Sequence, residues 1–279
     1  MNTPVTTSMR MLVAAVLLLV AAVLLMVAAN ARLEAQAGAN AASRPPFRIF
    51  DNLYYVGIDV VSAYLVPTDD GLIVIDALFA DSADQLLDNV RALGFDPADI
   101  RYLLVSHGHG DHAAGAPRIR EVTGARVGMT AEDWDMTGET PDLTLVDGQS
   151  ITLGGTTFEF FVTPGHTPGV LSMRFPVVDG NDTYTAFMFG GMGLNFSGVD
   201  RTRMYLASVR RVRRMDGIEV NITNHQGAGQ IFTRADVLEE RRAGDPHPFV
   251  DADRFYAWMD QLETNALAKL AEERAAANP

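Results

Sequence analysis

His107-Gly108-His109-Gly110-Asp111-His112 follows directly on the apolar run Tyr102-Leu103-Leu104-Val105. Four metal-capable side chains in six positions constrain this chain more than any other feature. A strand that feeds into such a turn projects imidazoles and a carboxylate toward one point beyond a sheet edge. The intervening glycines let the backbone bend sharply enough for those side chains to converge. Imidazole and carboxylate together are the ligand set of zinc and, less selectively, of iron or manganese. The chain holds 6 histidines in 279 residues, so three in one hexapeptide are not an accident of composition.

Two more histidines stand where β-rich runs stop. His166 lies in the breaker-rich turn Thr163-Pro164-Gly165-His166-Thr167-Pro168-Gly169, after the apolar run Phe158-Glu159-Phe160-Phe161-Val162. His225 ends the run over residues 218–224. Strand ends are where α/β sheets place their chemistry, so both are candidate ligands beside His107, His109, Asp111 and His112. His247, between Pro246 and Pro248, reads as a loop residue. Asp76, at the end of the apolar strand over residues 71–75, admits two readings: an acceptor that fixes a histidine tautomer from behind a metal, or a strand-end carboxylate bonding local backbone. Trp134, near Asp133 and Asp135, admits two readings, a cap on the pocket or a helix anchor, and the anchor is favoured.

A hydrophobic fraction of 48% lets the chain bury a full core as one large domain. The formal net charge of -13 argues against nucleic acid as a partner, and against anionic membrane surfaces bound by electrostatics alone. A small molecule is the partner expected. The cationic cluster Arg210-Arg211-Val212-Arg213-Arg214 falls on a predicted helix and reads as a solvated face. With 0 cysteines, disulfides and thiolate zinc ligands are excluded.

At the N-terminus, Arg10, the apolar run over residues 11–29 and Ala35-Gln36-Ala37 have the order of a secretory signal. The apolar run is also long enough to span a bilayer. Residues 1–37 are therefore expected to be a signal peptide or an N-terminal membrane anchor, with 38–46 a flexible lead-in and 47–279 the folded domain. The mature chain is expected to be periplasmic, or else held at the inner membrane by residues 11–29.

Periodicity predicts strands over 47–58, 62–67, 71–76, 101–106, 124–129, 143–146, 149–153, 156–162, 170–175, 184–189 and from 218. Helices are predicted over 81–93, 117–123, 201–215, 233–242 and 251–277. Strands followed by helices in each half imply an α/β fold of two sheets face to face with helices outside. The candidate ligand segments would meet at one rim.

The His-x-His-x-Asp-His motif after an apolar strand resembles the signature of the metallo-β-lactamase superfamily. Asp76, the Pro-Gly-His-Thr-Pro-Gly turn and the late strand ending in His225 follow in that family's order. The resemblance runs from Phe47 to the C-terminus and implies a four-layer αβ/βα sandwich. It implies one zinc site from His107, His109 and His166, a second from Asp111, His112 and His225, and two zinc ions per chain. It is most similar to the third lactamase subclass, whose ligands are histidines and one aspartate. Glyoxalase-type members carry a bridging aspartate in the segment that here reads Phe189-Gly190-Gly191-Met192-Gly193. Many third-subclass enzymes have a substrate-binding serine where Gly191 stands, so a serine at 191 is expected to improve substrate binding. The implied activity is hydrolysis of a β-lactam amide by a metal-activated hydroxide oriented by Asp111. The alternative is a zinc hydrolase of another ester, lactone or thioester.

Overall fold

The computed structural model describes residues 44–277. Its first half begins with two short strands, β1 (Phe47–Phe50) and β2 (Leu53–Tyr55), where the sequence suggests one continuous strand. The break has a local cause. Asp51 and Asn52 are turn formers, and Asn52 turns its amide onto a neighbouring strand, donating to the Pro176 carbonyl at 3.2 Å and accepting from the Val178 N–H at 2.9 Å. Then come β3 (Tyr64–Thr68), β4 (Gly71–Ile75), α1 (Ala83–Ala92), β5 (Ile100–Leu104), the single turn α2 (Gly110–Ala113), α3 (Ala116–Thr123), β6 (Arg126–Met129), α4 (Ala131–Thr137) and β7 (Leu143–Thr144). The second half runs β8 (Ser150–Leu153), β9 (Thr156–Val162), β10 (Leu171–Asp179), β11 (Asp182–Met188), α5 (Val199–Arg213), β12 (Val220–Ile222), α6 (Gln226–Gly229), α7 (Ile231–Glu239) and α8 (Ala252–Ala277).

The strands form two sheets. One has seven strands in the order β1-β2-β3-β4-β5-β6-β7, and the other has five in the order β12-β11-β10-β9-β8. Antiparallel hairpins build β1 to β4, whereas β4, β5, β6 and β7 run parallel. Between the sheets lies an apolar core to which both contribute, including Tyr55, Ile73, Ile75 and Leu104 from one and Phe158, Phe160, Met173 and Phe175 from the other. A second core, with Phe187, Tyr205, Val209, Phe255 and Met259, seats α5 and α8 on the outer face of the five-stranded sheet. On the opposite side α3 packs against β5 and β6, with α1 beside it. Helix, sheet, sheet, helix is the four-layer αβ/βα sandwich.

Parallel strands put their C-terminal ends at one edge. β4, β5 and β6 therefore deliver Asp76, the segment from Ser106 to His112, and Thr130 to the same rim. In the facing sheet the β9–β10 turn carries His166, and the parallel pair β11 and β12 ends in Gly190 and His225. The sheets are stitched together there. The Leu171 N–H donates to the Ser106 carbonyl at 2.7 Å, and the Tyr64 hydroxyl donates to the Thr223 carbonyl at 2.8 Å.

Helix α4 has no counterpart in the periodicity reading. Trp134 anchors it, 2% exposed, with its indole N–H on the Leu143 carbonyl at 3.1 Å. The arginines of α5 form surface ion pairs: Arg210 with Glu263 at 2.7 Å, Arg211 with Asp147 at 2.8 Å and Arg213 with Asp260 at 2.6 Å. These three pairs lie on a solvated face. Among the described residues no helix is long and apolar enough to cross a membrane. The N-terminal segment over residues 1–37, with its signal or anchor reading, lies outside the described residues.

His247 is a structural histidine remote from the rim. It stacks on Phe50 with ring centroids 4.0 Å apart. Its Nε2–H donates to the Ile49 carbonyl at 3.0 Å, and its Nδ1 accepts the Phe249 N–H at 3.1 Å. Only the neutral ring can make both bonds. Burial pushes its pKa below the ordinary histidine value, and the nearby charge of Arg241 adds to this. Above about pH 6.5, the unfolded-state value, the full stabilisation is present. It is lost as pH falls from there toward the lower folded value, because only the unfolded chain takes up the proton. Melting temperature is accordingly expected to fall more steeply between pH 6.5 and 5 in the wild type than in His247→Gln, read by thermal denaturation across that range. Equal slopes would contradict the assignment.

Candidate metal centre

The six candidate ligands converge at the rim in two sets. In the first, His166 Nε2 stands 3.1 Å from His107 Nε2 and 3.0 Å from His109 Nδ1. In the second, Asp111 Oδ2 stands 3.2 Å from His112 Nε2 and 3.5 Å from His225 Nε2, and the two imidazole nitrogens are 3.2 Å apart. His107 also faces Asp111 and His112 closely enough to form a metal-capable group with them, so the two sets adjoin. His107 and His112 are buried, whereas the side chains of Asp111 and His225 are 25% and 37% exposed, which opens the second set toward solvent.

The local fold explains the convergence. His109 ends extended backbone, and α2 begins at Gly110, turning Asp111 and His112 back toward the strand end. The His112 carbonyl accepts the Ala77 N–H at 2.8 Å, which pins this turn to the end of β4. On the other side Gly165 takes φ +144, and an added Cβ would lie 2.4 Å from Tyr205 Cβ. That close approach seats the His166 turn directly on α5, where Arg201 donates from Nε to the Gly165 carbonyl at 2.7 Å and from Nη2 to the His166 carbonyl.

Tautomers test whether a cation fits. His166 Nδ1–H donates to the Gly193 carbonyl at 2.9 Å, and His225 Nδ1–H to the Val60 carbonyl at 3.0 Å. His112 Nδ1–H donates to Asp76 Oδ2 at 2.9 Å. Ser106 Oγ gives its own proton to Asp76 Oδ2 at 2.9 Å, which leaves it to accept from His107 Nδ1–H at 3.1 Å. The rear nitrogens of His107, His112, His166 and His225 are thus donors, so the front nitrogen of each of these rings carries a lone pair whenever the ring is neutral. Between the neutral rings of His107 and His166, lone pairs 3.1 Å apart with no proton between them repel, and a cation among them reverses the sign of that interaction. The donor set therefore fits a metal, and imidazole nitrogens with one carboxylate suit zinc.

Ionisation supports the same division. Burial pushes His107 below the ordinary histidine value and His166 down to about 4, and burial also lowers His109. The first set therefore presents neutral imidazoles near pH 7. In the second set burial opposes the charge of His112, but Asp76 and Asp111 prevail and push it up to about 9. Burial likewise opposes the charge of Asp111, yet hydrogen bonding and charge from His112, with the charge of His225, hold its carboxyl far below the usual carboxylate range.

Asp76 adopts the first of its two readings and part of the second. It is fully buried at φ +63, holds His112 through Oδ2, and accepts the Ser106 N–H on Oδ1 at 2.7 Å. A non-glycine residue in left-handed backbone at such a place is strain held by its surroundings. His247 is not brought to the rim. Ser106 and Asn224, which donates to the Gly190 carbonyl at 2.8 Å, belong to the centre although no motif announces them.

Position 191 corrects an expectation. A Cβ on Gly191 would lie 2.6 Å from Val170 Cγ2 and 2.8 Å from His166 Cβ. A serine there would displace His166 before it offered any hydroxyl to a substrate. Gly191→Ser is therefore expected to weaken metal binding and lower turnover by about tenfold or more, measured as zinc affinity and kcat. A lower KM at unchanged kcat would show that the segment yields more easily than its packing implies.

Comparison with known proteins places this geometry. Residues 56–179 match the family model described as the metallo-beta-lactamase superfamily. Hydroxyacylglutathione hydrolase of Cereibacter sphaeroides is 32% identical over 124 residues, 44% of this chain and 48% of that protein. The enzyme of the same name from Pseudomonas putida is 32% identical over 154 residues, 46% of this chain and 56% of that protein. The chain thus spans about half the length of these relatives. Among solved structures, BJP-1, a subclass B3 metallo-beta-lactamase of Bradyrhizobium japonicum, superposes with a TM-score of 0.78 at 27% identity, covering 85% of this chain and 98% of that one. Native FEZ-1 metallo-beta-lactamase of Legionella gormanii gives 0.77 at 27% identity, covering 83% and 97%. The matched segment includes the histidine-rich turn and the His166 turn, so residues 56–179 carry a metallo-beta-lactamase superfamily domain, and the sandwich around it is similar to that of the solved metallo-beta-lactamases.

Proposed function

We propose that this protein is a dizinc metallo-hydrolase whose substrates are β-lactams. The observation that carries the reading is the pair of adjoining ligand sets, all imidazole except for one carboxylate, on a fold similar to subclass B3 enzymes across almost their whole length. His107, His109 and His166 would hold one zinc, and Asp111, His112 and His225 the other. Bound zinc would supply Lewis acidity, polarising a carbonyl oxygen and lowering the pKa of water toward 7.

The chain's own residues do the rest. Asp111, ionised and partly open to solvent, accepts a hydrogen bond from the attacking water and fixes its direction. Burial keeps His107 and His166 neutral, so their lone pairs remain available near pH 7. Among the described residues neither a cysteine nor a free serine hydroxyl adjoins the ligand sets. Cysteine is absent, and the Ser106 hydroxyl is buried and committed to Asp76 and His107. Water is therefore the nucleophile, and opening a β-lactam consumes one water and yields an amino acid product. The tight packing of Gly190 and Gly191 leaves no hydroxyl or carboxylate from that segment to hold substrate, so binding is expected to be weak.

A second reading has its own support. The relatives from Cereibacter and Pseudomonas are hydroxyacylglutathione hydrolases, which favours a thioester substrate. Assay of zinc-loaded protein against a penicillin, a cephalosporin, a carbapenem, a lactone and an acylglutathione thioester decides between them. Turnover of β-lactams that chelators abolish supports the first reading. Efficient thioester or lactone hydrolysis with every β-lactam left intact replaces it. Export completes the proposal: N-terminal sequencing of fractionated cells is expected to find a periplasmic chain beginning near Gly38. An intact Met1 in membranes would indicate the anchor instead.

A further inference from the structure

The two loops that carry the first set of imidazoles come from different sheets, and one side chain outside both loops joins them. Asp133, in the first turn of α4 and 1% exposed, places its carboxylate between them. Its Oδ2 accepts the Gly108 N–H at 2.9 Å and the Thr167 hydroxyl at 2.8 Å, and its Oδ1 accepts the Gly169 N–H at 3.0 Å. Gly108 separates His107 from His109, and Thr167 follows His166. Thr130, just before α4, adds a bond from Oγ1 to the Gly169 carbonyl at 2.6 Å.

Both loops are shaped to admit this helix. A Cβ on Gly169 would lie 2.0 Å from Thr130 Oγ1 and 2.9 Å from Asp133 Oδ1, and one on Gly108 would lie 2.8 Å from the Asp133 carbonyl oxygen. Trp134 separately anchors α4 to β7. Burying a carboxylate is costly, and the three bonds from the ligand loops offset that cost.

We propose that Asp133 is a positioning residue that sets the spacing of His107 and His109 relative to His166, so that the tri-histidine set is assembled before a metal arrives. This rests on the reading of those three residues as a zinc site. The hydrogen bonds of Asp133 fall beside His107, His109 and His166, whereas His112 is held by Ala77 and Asp76, so the effect of Asp133 is selective for the first set.

Single-site backgrounds make the selectivity measurable. His225→Ala leaves the tri-histidine set as the intact one, and His166→Ala leaves the Asp111 and His112 side. In the first background Asp133→Asn is expected to lower affinity for Zn2+ by about tenfold to a hundredfold and to shift the visible spectrum of the Co2+ form. In the second it is expected to change neither by more than about twofold. Thr167→Val removes one of the three bonds and is expected to give a smaller loss with the same selectivity, which keeps the test open if Asp133→Asn does not fold. Equal losses in both backgrounds, or none in either, would overturn the inference. Wild-type protein that takes up no zinc would overturn the zinc reading with it, whereas zinc-binding wild type with unselective variants overturns the inference alone.

Discussion

Asp111→Asn is expected to lower turnover about a hundredfold or more, the scale of removing a positioned catalytic group. The substitution preserves size, so the cause is charge and hydrogen-bonding capacity. Asp111 is the only carboxylate in the two ligand sets, facing His112 Nε2 at 3.2 Å and His225 Nε2 at 3.5 Å. Without its charge the second set loses its electrostatic hold on a dication. The carboxamide also presents a weaker acceptor to the attacking water. Loss of the second metal and loss of turnover should therefore appear together, and zinc content measured alongside kcat tests the coupling. A variant with near-normal turnover on any good substrate would mean that Asp111 does not direct the water.

Asp76→Asn is expected to be nearly as damaging, although Asp76 Oδ2 touches only the rear nitrogen of His112 and the Ser106 hydroxyl. Asparagine tolerates the left-handed backbone at φ +63, so the chain need not move. The Ser106 N–H requires an acceptor, which keeps the amide oxygen on it and turns the amide NH2 toward His112 and Ser106. His112 Nδ1 must then accept, which moves its proton to Nε2 and blocks the ligand position. Ser106, now receiving a proton from residue 76, is free to donate to His107 Nδ1 and invert that tautomer too. One atom exchange thus reaches both sets. Zinc affinity at each is expected to fall by about tenfold to a hundredfold, and the metal-free protein is expected to melt at a lower temperature because the buried Asp76–His112 ion pair is lost. Titration calorimetry with zinc decides the point, and unaltered affinity would refute the tautomer relay.

These two carboxylates mark the boundary of what the sequence discloses. His107, His109, Asp111 and His112 are legible because they are contiguous, and His166 and His225 because each follows an apolar run at the rim. Two sheets face to face with helices outside follow from the alternation of strand and helix patterns, and the resemblance to the superfamily from the order of the motifs. Asp133 is illegible for a physical reason. Its partners Gly108 and Gly169 lie 25 and 36 residues away, and only the docking of α4 between the two loops brings them together. Ser106 is hidden similarly, since its role depends on which way it hands its proton. At Gly190 and Gly191 the sequence shows that no serine or carboxylate is present, but only the packing against Leu171, Val170 and His166 shows that none fits. The break between β1 and β2 depends on Asn52 bonding to β10, a contact 124 and 126 residues distant.

Anomalous X-ray diffraction from zinc-loaded crystals, recorded on either side of the zinc absorption edge, tests the central claim most directly. Two separate peaks are predicted, one within bonding distance of His107 Nε2, His109 Nδ1 and His166 Nε2, the other of Asp111 Oδ2, His112 Nε2 and His225 Nε2. A single peak from fully loaded protein, or an edge belonging to iron in metal retained from the cell, would contradict the dizinc account.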